Sequence, residues 1–407
     1  MKVVIVGAGI AGLCTAAGMA ATGADVTLVE RAPEVRGGGA GLSIFGNGRR
    51  ALGALGLSAV IPAGLDSTDL DSTDLDSTDL DSTDPDSIGP DSTGPDSMGP
   101  PVSGTRRPDG RWLSRFDPES LVDMRVVRRT ELHAALLDAV SGSADIRTGA
   151  GVADLDVVDG WVRLSDGAEI ADCDLIVGAD GLRSRVRAAV VDDPGVIRCG
   201  YSAWRAITSR PVALDAAGET MGRGQRFGIA PLPDGHVYWF ASISDDGTRA
   251  EGGLDEVRQR FSGWHRPIVE LLDATEPADV GHLPIEELAR GLPTFVRARG
   301  VLVGDAAHAM TPNLGQGANL AMEDAVTLSA LMSRAGRDGV DDALVTYDRL
   351  RRPRTQRIAR QASMVGRVGQ MRGGPAVRAR DLVLRMTPDA VLDARMRRLQ
   401  DWQPPRA

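Results

Sequence analysis

Residues 301–325, VLVGDAAHAMTPNLGQGANLAMEDA, place an acid and a glycine-rich turn between a strand and a helix. Asp305 follows a β-branched strand, and its carboxylate can accept hydrogen bonds from sugar-type hydroxyls. Gly315 and Gly317 precede a helical pattern that begins near Asn319, so we expect free backbone N–H groups at a positive helix end. This suits the edge of an anionic or electron-accepting ring. An ordinary βα turn would explain the same residues. A second part of a cofactor site, elsewhere in the sequence, is needed to favour the cofactor site over the ordinary turn.

That second half lies at the start of the chain. A buried-strand run at residues 2–6 leads into Gly7, Gly9 and Gly12, spaced G-x-G-x-x-G, and then into an Ala-rich helix. The first glycine makes the tight turn, the second lets the backbone approach a pyrophosphate, and the third lets helix and strand pack closely. Glu30 ends the next strand, where an acid can bind ribose hydroxyls. The pattern predicts an adenine dinucleotide without choosing between NAD and FAD.

Two further polar positions follow predicted strands. Arg129 stands where a strand meets a helix and could reach a phosphate or a ring edge, or could form a surface ion pair. Asp180 follows the strand at residues 174–177 and precedes a helix that carries Arg183 and Arg187. An acid at the carboxyl end of a strand, with arginines beyond it, predicts a second polar rim on the same crevice.

The strands that carry these residues need a parallel sheet, because its carboxyl ends meet at one edge. At 407 residues the chain predicts about two domains. From about residue 190 to 284 the pattern changes to strand-like runs with aromatic residues, which predicts a mostly antiparallel sheet beside an apolar pocket. Trp204 and Trp239 would form a dry wall of that pocket, or would be ordinary core residues. The fold class is α/β: a three-layer, Rossmann-like domain, an interleaved antiparallel sheet domain and C-terminal helices.

The composition argues against a nucleic-acid-binding, a metal-binding and a membrane-spanning protein. All eleven acidic residues of seven pentad repeats at residues 66–100 are Asp, and without them the net charge of −10 becomes +1. The total charge therefore indicates no nucleic-acid partner, and the repeats predict a disordered surface insertion. Three distant cysteines and five scattered histidines predict a reducing cytoplasm and no metal site. No long apolar run predicts a membrane span, and a basic tail beyond Gly373 is expected to be helical and peripheral.

Three motifs in this order carry a family resemblance: G-x-G-x-x-G at 7–12, GADGLRSRVR at 178–187 and G-D-A-A-H-x-x-x-P-x-x-G-Q-G-x-N at 304–319. Together they resemble the single-component FAD-dependent aromatic hydroxylases of the 4-hydroxybenzoate, salicylate and urate hydroxylase kind. The resemblance covers roughly residues 1–65 and 100–365. The pentad repeats depart from the family pattern close to the expected entrance of the active site, which puts substrate access in doubt.

The resemblance implies a role for each matching residue. For the adenosine diphosphate half it implies the pyrophosphate glycines, the adenosine contacts and the arginine before the E-L helix start: Gly7, Gly9, Ala11, Gly12, Glu30, Arg31, Arg129 and Val152. For the flavin half it implies the flavin loop, a motif shared with NAD(P)H binding, the ribityl contact and the N–H groups at the flavin N1/O2 edge: Ser43, Asp180, Asp305, Gly315, Gln316, Gly317, Ala318 and Asn319. For catalysis it implies Pro312 near the isoalloxazine and, by similarity to urate hydroxylases, Arg226 and Tyr238 facing the substrate.

The resemblance also implies a reaction and a division of the chain. NAD(P)H and O₂ would be co-substrates, non-covalent FAD the cofactor, and a C4a-hydroperoxyflavin the agent that hydroxylates an electron-rich aromatic or heteroaromatic ring, in a monomer or homodimer. A non-oxygenating flavoprotein dehydrogenase or reductase, and a flavin-binding interaction protein using its acidic repeat, are the alternatives. The expected parts are 1–65, 101–190 and 286–370 for FAD binding, 66–100 for the insertion, 191–285 for substrate and 371–407 for the basic helical tail.

Overall fold

The computed structural model describes residues 1–35, 40–61, 102–116, 123–245 and 253–405. The predicted disordered repeat at 66–100 lies outside these residues. Within them the helices are α1 (Ile10–Ala21), α2 (Gly46–Ala54), α3 (Arg129–Val140), α4 (Arg185–Val190), α5 (Leu254–Phe261), α6 (Ile268–Asp273), α7 (Asp305–His308), α8 (Gly317–Ala335), α9 (Val340–Gly369), α10 (Gly374–Met386) and α11 (Asp389–Gln400). Short 3₁₀ turns occur at Ser58–Val60, Pro277–Asp279 and Pro312–Leu314.

The strands are shorter and fall into four sheets. They are β1 (Lys2–Val6), β2 (Asp25–Val29), β3 (Gly41–Ile44), β4 (Val102–Arg106), β5 (Trp112–Arg115), β6 (Arg125–Arg128), β7 (Asp145–Arg147), β8 (Val152–Asp156), β9 (Trp161–Leu164), β10 (Glu169–Ile170), β11 (Leu175–Gly178), β12 (Val196–Ile207), β13 (Ala216–Met221), β14 (Gln225–Pro231), β15 (Val237–Ser244), β16 (Gly281–Leu288), β17 (Val296–Arg297) and β18 (Gly300–Leu302).

The first large sheet has the order β17-β18-β11-β1-β2-β7 and is parallel except for β17. Its central strands β1, β11 and β18 are almost entirely Val, Ile and Leu, and they are buried. Such continuous apolar runs are typical of strands that are covered on both faces by helices. Here α1 packs against α8 and α3. This sheet brings the chain segments after β1, β11 and β18 to one edge, as the motifs predict.

The second large sheet has the order β16-β12-β15-β14-β13-β4-β5 and is antiparallel except for the β13–β4 pair. Because side chains alternate across a strand, each strand sends one set to each face. Trp204, Phe227 and Trp239 pack with α5 and α6 in a separate core. Of the two interpretations, ordinary core residues is therefore confirmed and a pocket wall is wrong, since the strand positions of both tryptophans point to the helical face.

The C-terminal helices are held against the first domain by buried ion pairs. Arg351 of α9 contacts Glu323 and Asp324 of α8, each at 2.7 Å, and all three side chains are almost fully buried. Burial alone would lower the pKa of Arg351, but Asp324 and Glu323 raise that pKa above its usual value. Arg354 adds a contact of 2.8 Å to Glu323. In the part of the chain that the structure describes, no helix is long and apolar enough to span a membrane.

The basic tail is helical and most of its side chains are exposed, as expected, but its end is anchored to the rest of the protein. Leu399 of α11 is buried against Leu320 and Ile358. Arg50 of α2 donates hydrogen bonds to the carbonyl oxygens of Gln400, at 2.5 Å, and Trp402, at 3.0 Å. The charge count alone did not predict this anchor, because the contact is made by Leu399 and by the backbone carbonyl oxygens at the end of α11.

Candidate functional site

A cavity of about 1610 Å³ lies between the edge of the parallel sheet and one face of the antiparallel sheet. Pockets for drug-sized ligands usually measure about 300–1,000 Å³, so this space can accept more than one small molecule. Of the residues singled out by sequence, these line it: Gly9, Ala11, Ser43, Arg129, Arg226, Tyr238, Asp305, Pro312, Gly315, Gly317 and Ala318. These lie outside its lining: Gly7, Gly12, Glu30, Arg31, Val152, Asp180, Gln316 and Asn319.

The glycine loop forms one border of the cavity with backbone atoms alone. Gly7 has a φ of 103°, a conformation that glycine adopts without the steric cost of a Cβ. A Cβ on Gly12 would lie 1.9 Å from the Gly7 carbonyl oxygen, so this glycine permits the tight turn beneath the loop. A Cβ on Gly9 would meet nothing within 4 Å, and no side chain caps the α1 N-terminus there. The free N–H groups and the open space suit a pyrophosphate.

A second helix N-terminus borders the same cavity. Helix α8 begins at Gly317, two residues before the predicted start, and its N-cap, Gln316, makes no side-chain capping bond. Gly315 has a φ of 62° and ends the Pro312–Leu314 turn. Asp305, at the start of α7, has an exposed side chain on the cavity wall. The structure thus joins an uncapped helix end, suited to negative charge, and a carboxylate suited to hydroxyls.

Gln316 and Asn319 use their side chains to hold the loop that carries Ser43. The Asn319 amide accepts a hydrogen bond from the Phe45 N–H at 2.9 Å and donates one to the Ser43 carbonyl oxygen at 3.1 Å. The Gln316 carbonyl oxygen accepts one from the Asn47 amide at 3.0 Å. Both side chains are buried away from the cavity, so they position the loop, while their backbone remains at the α8 N-terminus.

Glu30, Arg31 and Val152 lie together beyond the glycine loop. The Glu30 carboxylate accepts hydrogen bonds from the N–H groups of Ala8 and Ala32, each at 2.9 Å. The Cβ of Arg31 lies 3.5 Å from the place where a Cβ on Gly151 would stand. The Val152 side chain is buried in the main core, so this residue can offer only its backbone to a ligand. This separate group is where the adenosine end was predicted.

The Asp180 carboxylate accepts hydrogen bonds at the N-terminus of α4. It accepts hydrogen bonds from the Ser184 hydroxyl at 2.5 Å and from the Arg185 N–H at 2.6 Å. The adjacent residues Gly181, Leu182 and Arg183 line the cavity. Asp180 therefore fixes the shape of this rim in the described structure.

At one end of the cavity, two unpaired arginines lie beside a tyrosine: Arg205 and Tyr238 belong to the antiparallel sheet, whereas Arg129 is the first residue of α3. The guanidinium groups of Arg129 and Arg205 line the cavity, and neither makes a hydrogen bond or ion pair with any other described residue. Burial lowers the pKa of Arg129, and the nearby Asp305 carboxylate opposes that shift. Burial raises the pKa of Tyr238, and Arg205 and Arg129 partly offset the rise. This end presents net positive charge and a neutral phenol.

Tyr238 also contacts the loop that carries Ser43. A Cβ on Gly41 would lie 2.5 Å from the Cγ atom of the Tyr238 ring, so the ring sits directly on this glycine. Sequence reasoning missed Arg205. It could have been found from alternation along β12, because Tyr201, Ala203 and Arg205 share the face opposite Trp204.

Arg226 lies at the other end of the wall and is almost fully paired. Its guanidinium contacts Glu219 at 3.5 Å and the side-chain oxygen of Asn313, and only its buried Nε atom has no partner in the described structure. Asn313 in turn donates to the Tyr201 hydroxyl at 3.0 Å and to the Ala362 carbonyl oxygen at 3.0 Å. Arg226 thus ties the sheet to the Pro312–Leu314 turn and to α9.

The register of β14 and β15 separates Arg226 from Tyr238. Arg226 stands opposite Ser242, and Tyr238 stands opposite Ala230. Four residue positions along the strands correspond to roughly 14 Å. The two residues predicted to face the substrate therefore share a face but lie at opposite ends of it.

Comparison with known proteins identifies the family. The sequence pattern described as FAD binding domain matches residues 1–362. The chain belongs to this family. 2-Heptyl-3-hydroxy-4(1H)-quinolone synthase of Pseudomonas aeruginosa is 33% identical, over 96% of this chain and 95% of that protein. Aurachin C monooxygenase/isomerase of Stigmatella aurantiaca is 38% identical, over 56% of this chain and 60% of that protein. Klebsiella pneumoniae HpxO, solved with FAD and uric acid, superposes with a TM-score of 0.81 at 25% identity, covering 98% of this chain and 96% of that chain.

These similarities confirm the predicted FAD-dependent hydroxylase family, the α/β fold class, FAD as the cofactor and a flavoprotein monooxygenase as the class of enzyme. The described residues fit FAD. The uncapped ends of α1 and α8, the open space at Gly9 and the unpaired Arg129 are features that a phosphate-bearing, electron-accepting group would use. The assignment of particular residues to particular parts of FAD remains a prediction.

Proposed function

We propose that this monooxygenase uses NAD(P)H and O₂ to hydroxylate a fused, electron-rich heteroaromatic ring that bears an acidic hydroxyl or a ring carbonyl. The observation that carries the proposal is the unpaired guanidinium group of Arg205 beside Tyr238 on the cavity wall. A cavity that holds uncompensated positive charge in a half-buried place favours an anionic or strongly polarised ligand. A quinolone and uric acid, named for two of the similar proteins, are both fused rings with such oxygens.

When bound, FAD supplies the redox chemistry: it accepts a hydride equivalent and activates O₂. The chain supplies placement and charge. We propose that Asp305 binds ribityl hydroxyls and that the α8 N-terminus, from Gly315 to Asn319, stabilises negative charge on the reduced cofactor. Gly7, Gly9 and Gly12 would shape the pyrophosphate site, and Glu30 and Arg31 the adenosine site.

On the substrate side, Arg205 would hold the ring oxygen as an anion, which makes the ring more reactive toward an electrophilic oxygen. Tyr238, kept neutral by burial, would donate a hydrogen bond from its hydroxyl to a second substrate atom. Pro312 on the facing turn would limit how the ring can lie. Arg226 would act at the far end through its unpartnered Nε, and mainly by holding Asn313 in place.

Water must be kept from the reacting atoms. The described wall offers Phe240 and Leu283 for this purpose, in place of the two tryptophans that the sequence suggested. A dry wall strengthens the interactions of Arg205 with an anion and limits unproductive loss of reduced oxygen. The three free cysteines, two of them buried, support our proposal of a reducing cytoplasmic compartment.

The test is oxidation of NADH and of NADPH by the purified yellow protein under ¹⁸O₂. A panel of 4-quinolones, purines and phenols would be added one at a time, with product mass measured in parallel. We expect one ring class to stimulate oxidation and to gain one labelled oxygen. Stimulated oxidation without label would replace the proposal with the dehydrogenase alternative. The nucleotide that gives the larger kcat/KM identifies the physiological reductant, and light scattering of the same sample decides between monomer and homodimer.

A further inference from the structure

The turn that carries Asp305 is closed by one buried carboxylate. Asp324 of α8 accepts a hydrogen bond from the Gly304 N–H at 2.9 Å, and the same oxygen, Oδ2, lies 2.6 Å from Nε2 of His308. Gly304 is the N-cap of α7 and His308 is its last residue. These two contacts therefore hold both ends of the segment that contains Asp305, whose side chain is on the cavity wall.

This segment has little to hold its shape by itself. Helix α7 is only four residues long, and isolated helices of such length are unstable in water. Gly304 also has a φ of 57°, in the left-handed region. Contacts from outside hold the segment: Arg187 donates a hydrogen bond to the Ala306 carbonyl oxygen at 3.2 Å, and Asp324 makes the two contacts at the ends. The direction of the Asp305 carboxylate therefore depends on these contacts.

Asp324 is itself fixed on its other side by α9. Its second oxygen, Oδ1, accepts a hydrogen bond from Nε of Arg351 at 2.7 Å, and the Asp324 side chain is fully buried. Burial alone would raise the pKa of Asp324, but the neighbouring His308 and Arg351 outweigh burial and lower that pKa. The carboxylate is therefore ionised, and because it can only accept hydrogen bonds, Nε2 of His308 must be the donor.

Asp324 also belongs to the helix whose N-terminus borders the cavity. It follows Gly317, the first residue of α8, by seven positions (317 to 324), which correspond to roughly 10 Å along the helix axis. The hydrogen bonds between successive turns of the helix keep this distance fixed. Asp324 therefore ties the turn that carries Asp305 to the same element that presents free N–H groups at Gly317. Asp324 lies outside the cavity lining, so its role is indirect.

From this geometry we propose that Asp324 is a positioning residue for the cofactor. It sets the spacing between two groups that the proposed function assigns to FAD: the Asp305 carboxylate for the ribityl hydroxyls, and the α8 N-terminus for the N1/O2 edge of the flavin ring. The proposal rests on the proposed function for these two assignments. It adds that their spacing depends on one residue, which acts through Gly304 and His308.

The experiment compares Asp324→Asn with the wild-type protein, by titration of the apoprotein with FAD and by the midpoint potential of the FAD-loaded protein. The Asn amide has an NH₂ group, which meets another donor whether it faces Arg351 or the turn, so one side must move. We expect the Kd for oxidised FAD to rise at least tenfold. The Kd for reduced FAD should rise about tenfold more, because the displaced α8 N-terminus stabilises its negative charge less, and the potential should therefore fall by about 30 mV.

Tyr347→Phe is the matched control for a loss of stability alone. The Tyr347 side chain is fully buried, and its hydroxyl donates a hydrogen bond from α9 to the Leu302 carbonyl oxygen at 3.0 Å, two residues before Gly304. This variant loses a buried hydrogen bond in the same region but keeps both contacts of Asp324 with the turn. Its melting temperature should fall, while its Kd for FAD should stay within about twofold of the wild-type value and its potential should not change.

His308→Ala and His308→Gln test the same contact without a change at Asp324. The Ala variant removes one of the two contacts at the turn, whereas the Gln variant keeps a side-chain N–H that can donate to the carboxylate. We expect the Kd for FAD to rise about fivefold and the potential to fall in His308→Ala. Both values should return toward those of the wild type in His308→Gln, because the donor is restored.

The proposal is overturned if Asp324→Asn changes either the Kd for FAD or the potential no more than Tyr347→Phe does, or if the two His308 variants change them equally. Should Asp324→Asn fail to fold, the two His308 variants decide the matter alone. The proposed function fails separately, because these measurements use no substrate. In that case FAD binding follows the expected order in the variants, but no ring gains labelled oxygen from ¹⁸O₂.

Discussion

The cavity has two walls that are built in different ways. On the cofactor side, Gly9, Gly315 and Gly317 offer backbone N–H groups and open space, and few side chains reach in. On the sheet side, Arg205 and Tyr238 offer side-chain atoms from alternating strand positions. The cofactor wall depends on the absence of side-chain atoms at its glycines, and the sheet wall depends on the polar side-chain atoms of Arg205 and Tyr238. Adding a methyl group should therefore damage one wall, and removing a polar group should damage the other.

The sheet wall itself contains a second contrast. Arg205 has no described partner, whereas Arg226 is engaged by Glu219 and Asn313. An unpaired cation in a cavity is available to a ligand, and a paired one mainly holds structure. We therefore expect changes at Arg205 to appear in kinetics and changes at Arg226 to appear in stability.

The largest effect should come from Gly12→Ala, which tests the cofactor wall. The added Cβ would lie 1.9 Å from the Gly7 carbonyl oxygen, so the loop must move. We expect the Kd for FAD to rise about a hundredfold or more and the melting temperature of the apoprotein to fall. Gly9→Ala is the control: its Cβ meets nothing within 4 Å, so it should weaken FAD binding and leave the apoprotein as stable as before. Equal loss of stability in both variants would contradict this view of the loop.

Next in size is Arg205→Gln, which tests the unpaired end of the sheet wall. Loss of a charge-assisted hydrogen bond of about 2 kcal/mol should lower kcat/KM about thirtyfold for an anionic ring substrate. Steady-state kinetics with the substrate found in the ¹⁸O₂ experiment would measure this decrease in kcat/KM. Arg290→Gln serves as the matched control, since Arg290 is 65% exposed and, among the described residues, pairs with Asp192 on the surface. A neutral substrate that lost as much kcat/KM as the anionic one would show that Arg205 does not act by charge.

A smaller change, mainly in stability, is expected for Arg226→Gln. The substitution removes a partner from Glu219 and from Asn313, so the free energy of unfolding should fall by about 1–2 kcal/mol in urea titration. The loss in kcat/KM should be smaller than for Arg205→Gln. A full loss of activity with unchanged unfolding would reverse the contrast between the two arginines and place Arg226 directly on the substrate.

The smallest effect should come from Tyr238→Phe. Burial raises the pKa of Tyr238, so the phenol stays neutral below its ordinary value of about 10. We expect kcat/KM to fall about fivefold, by the same factor at every pH between 6 and 9. The raised pKa contributes stability that is fully present below pH about 10 and is lost as pH rises through the folded-state pKa. An ionisation near pH 8 that disappeared in the variant would contradict the neutral phenol.

The sequence predicted the cofactor wall well because glycine spacing describes backbone geometry directly. Gly7, Gly9, Gly12 and the turn before α8 all fall where the motifs place them, and the start of α8 was missed by only two residues. The parallel sheet could also be predicted from the sequence, since its buried strands are short runs of Val, Ile and Leu. Local chemistry fixes these features, with little help from distant residues.

The sheet wall could be predicted only in part. The strands were found, but the face that each residue occupies depends on register, and register depends on partners far away in sequence. Trp204 was therefore offered as a wall residue, while its neighbour Arg205, which does line the cavity, was missed. The role of Asn313 was equally out of reach, because it depends on tertiary contacts with no local motif.

The order of strands in the parallel sheet also determines when, during synthesis on the ribosome, this sheet can be completed. β1 is made first, yet its neighbour β11 follows about 170 residues later, and β18 is made only after residue 300. At roughly 5–20 residues per second, the ribosome needs about 15 to 60 s to deliver them. During that time the apolar strand Lys2–Val6 can pair with β2 on one side but lacks β11 on the other, and such long-range pairing folds slowly. Chaperone supply should therefore limit the yield of active enzyme most where translation is slow.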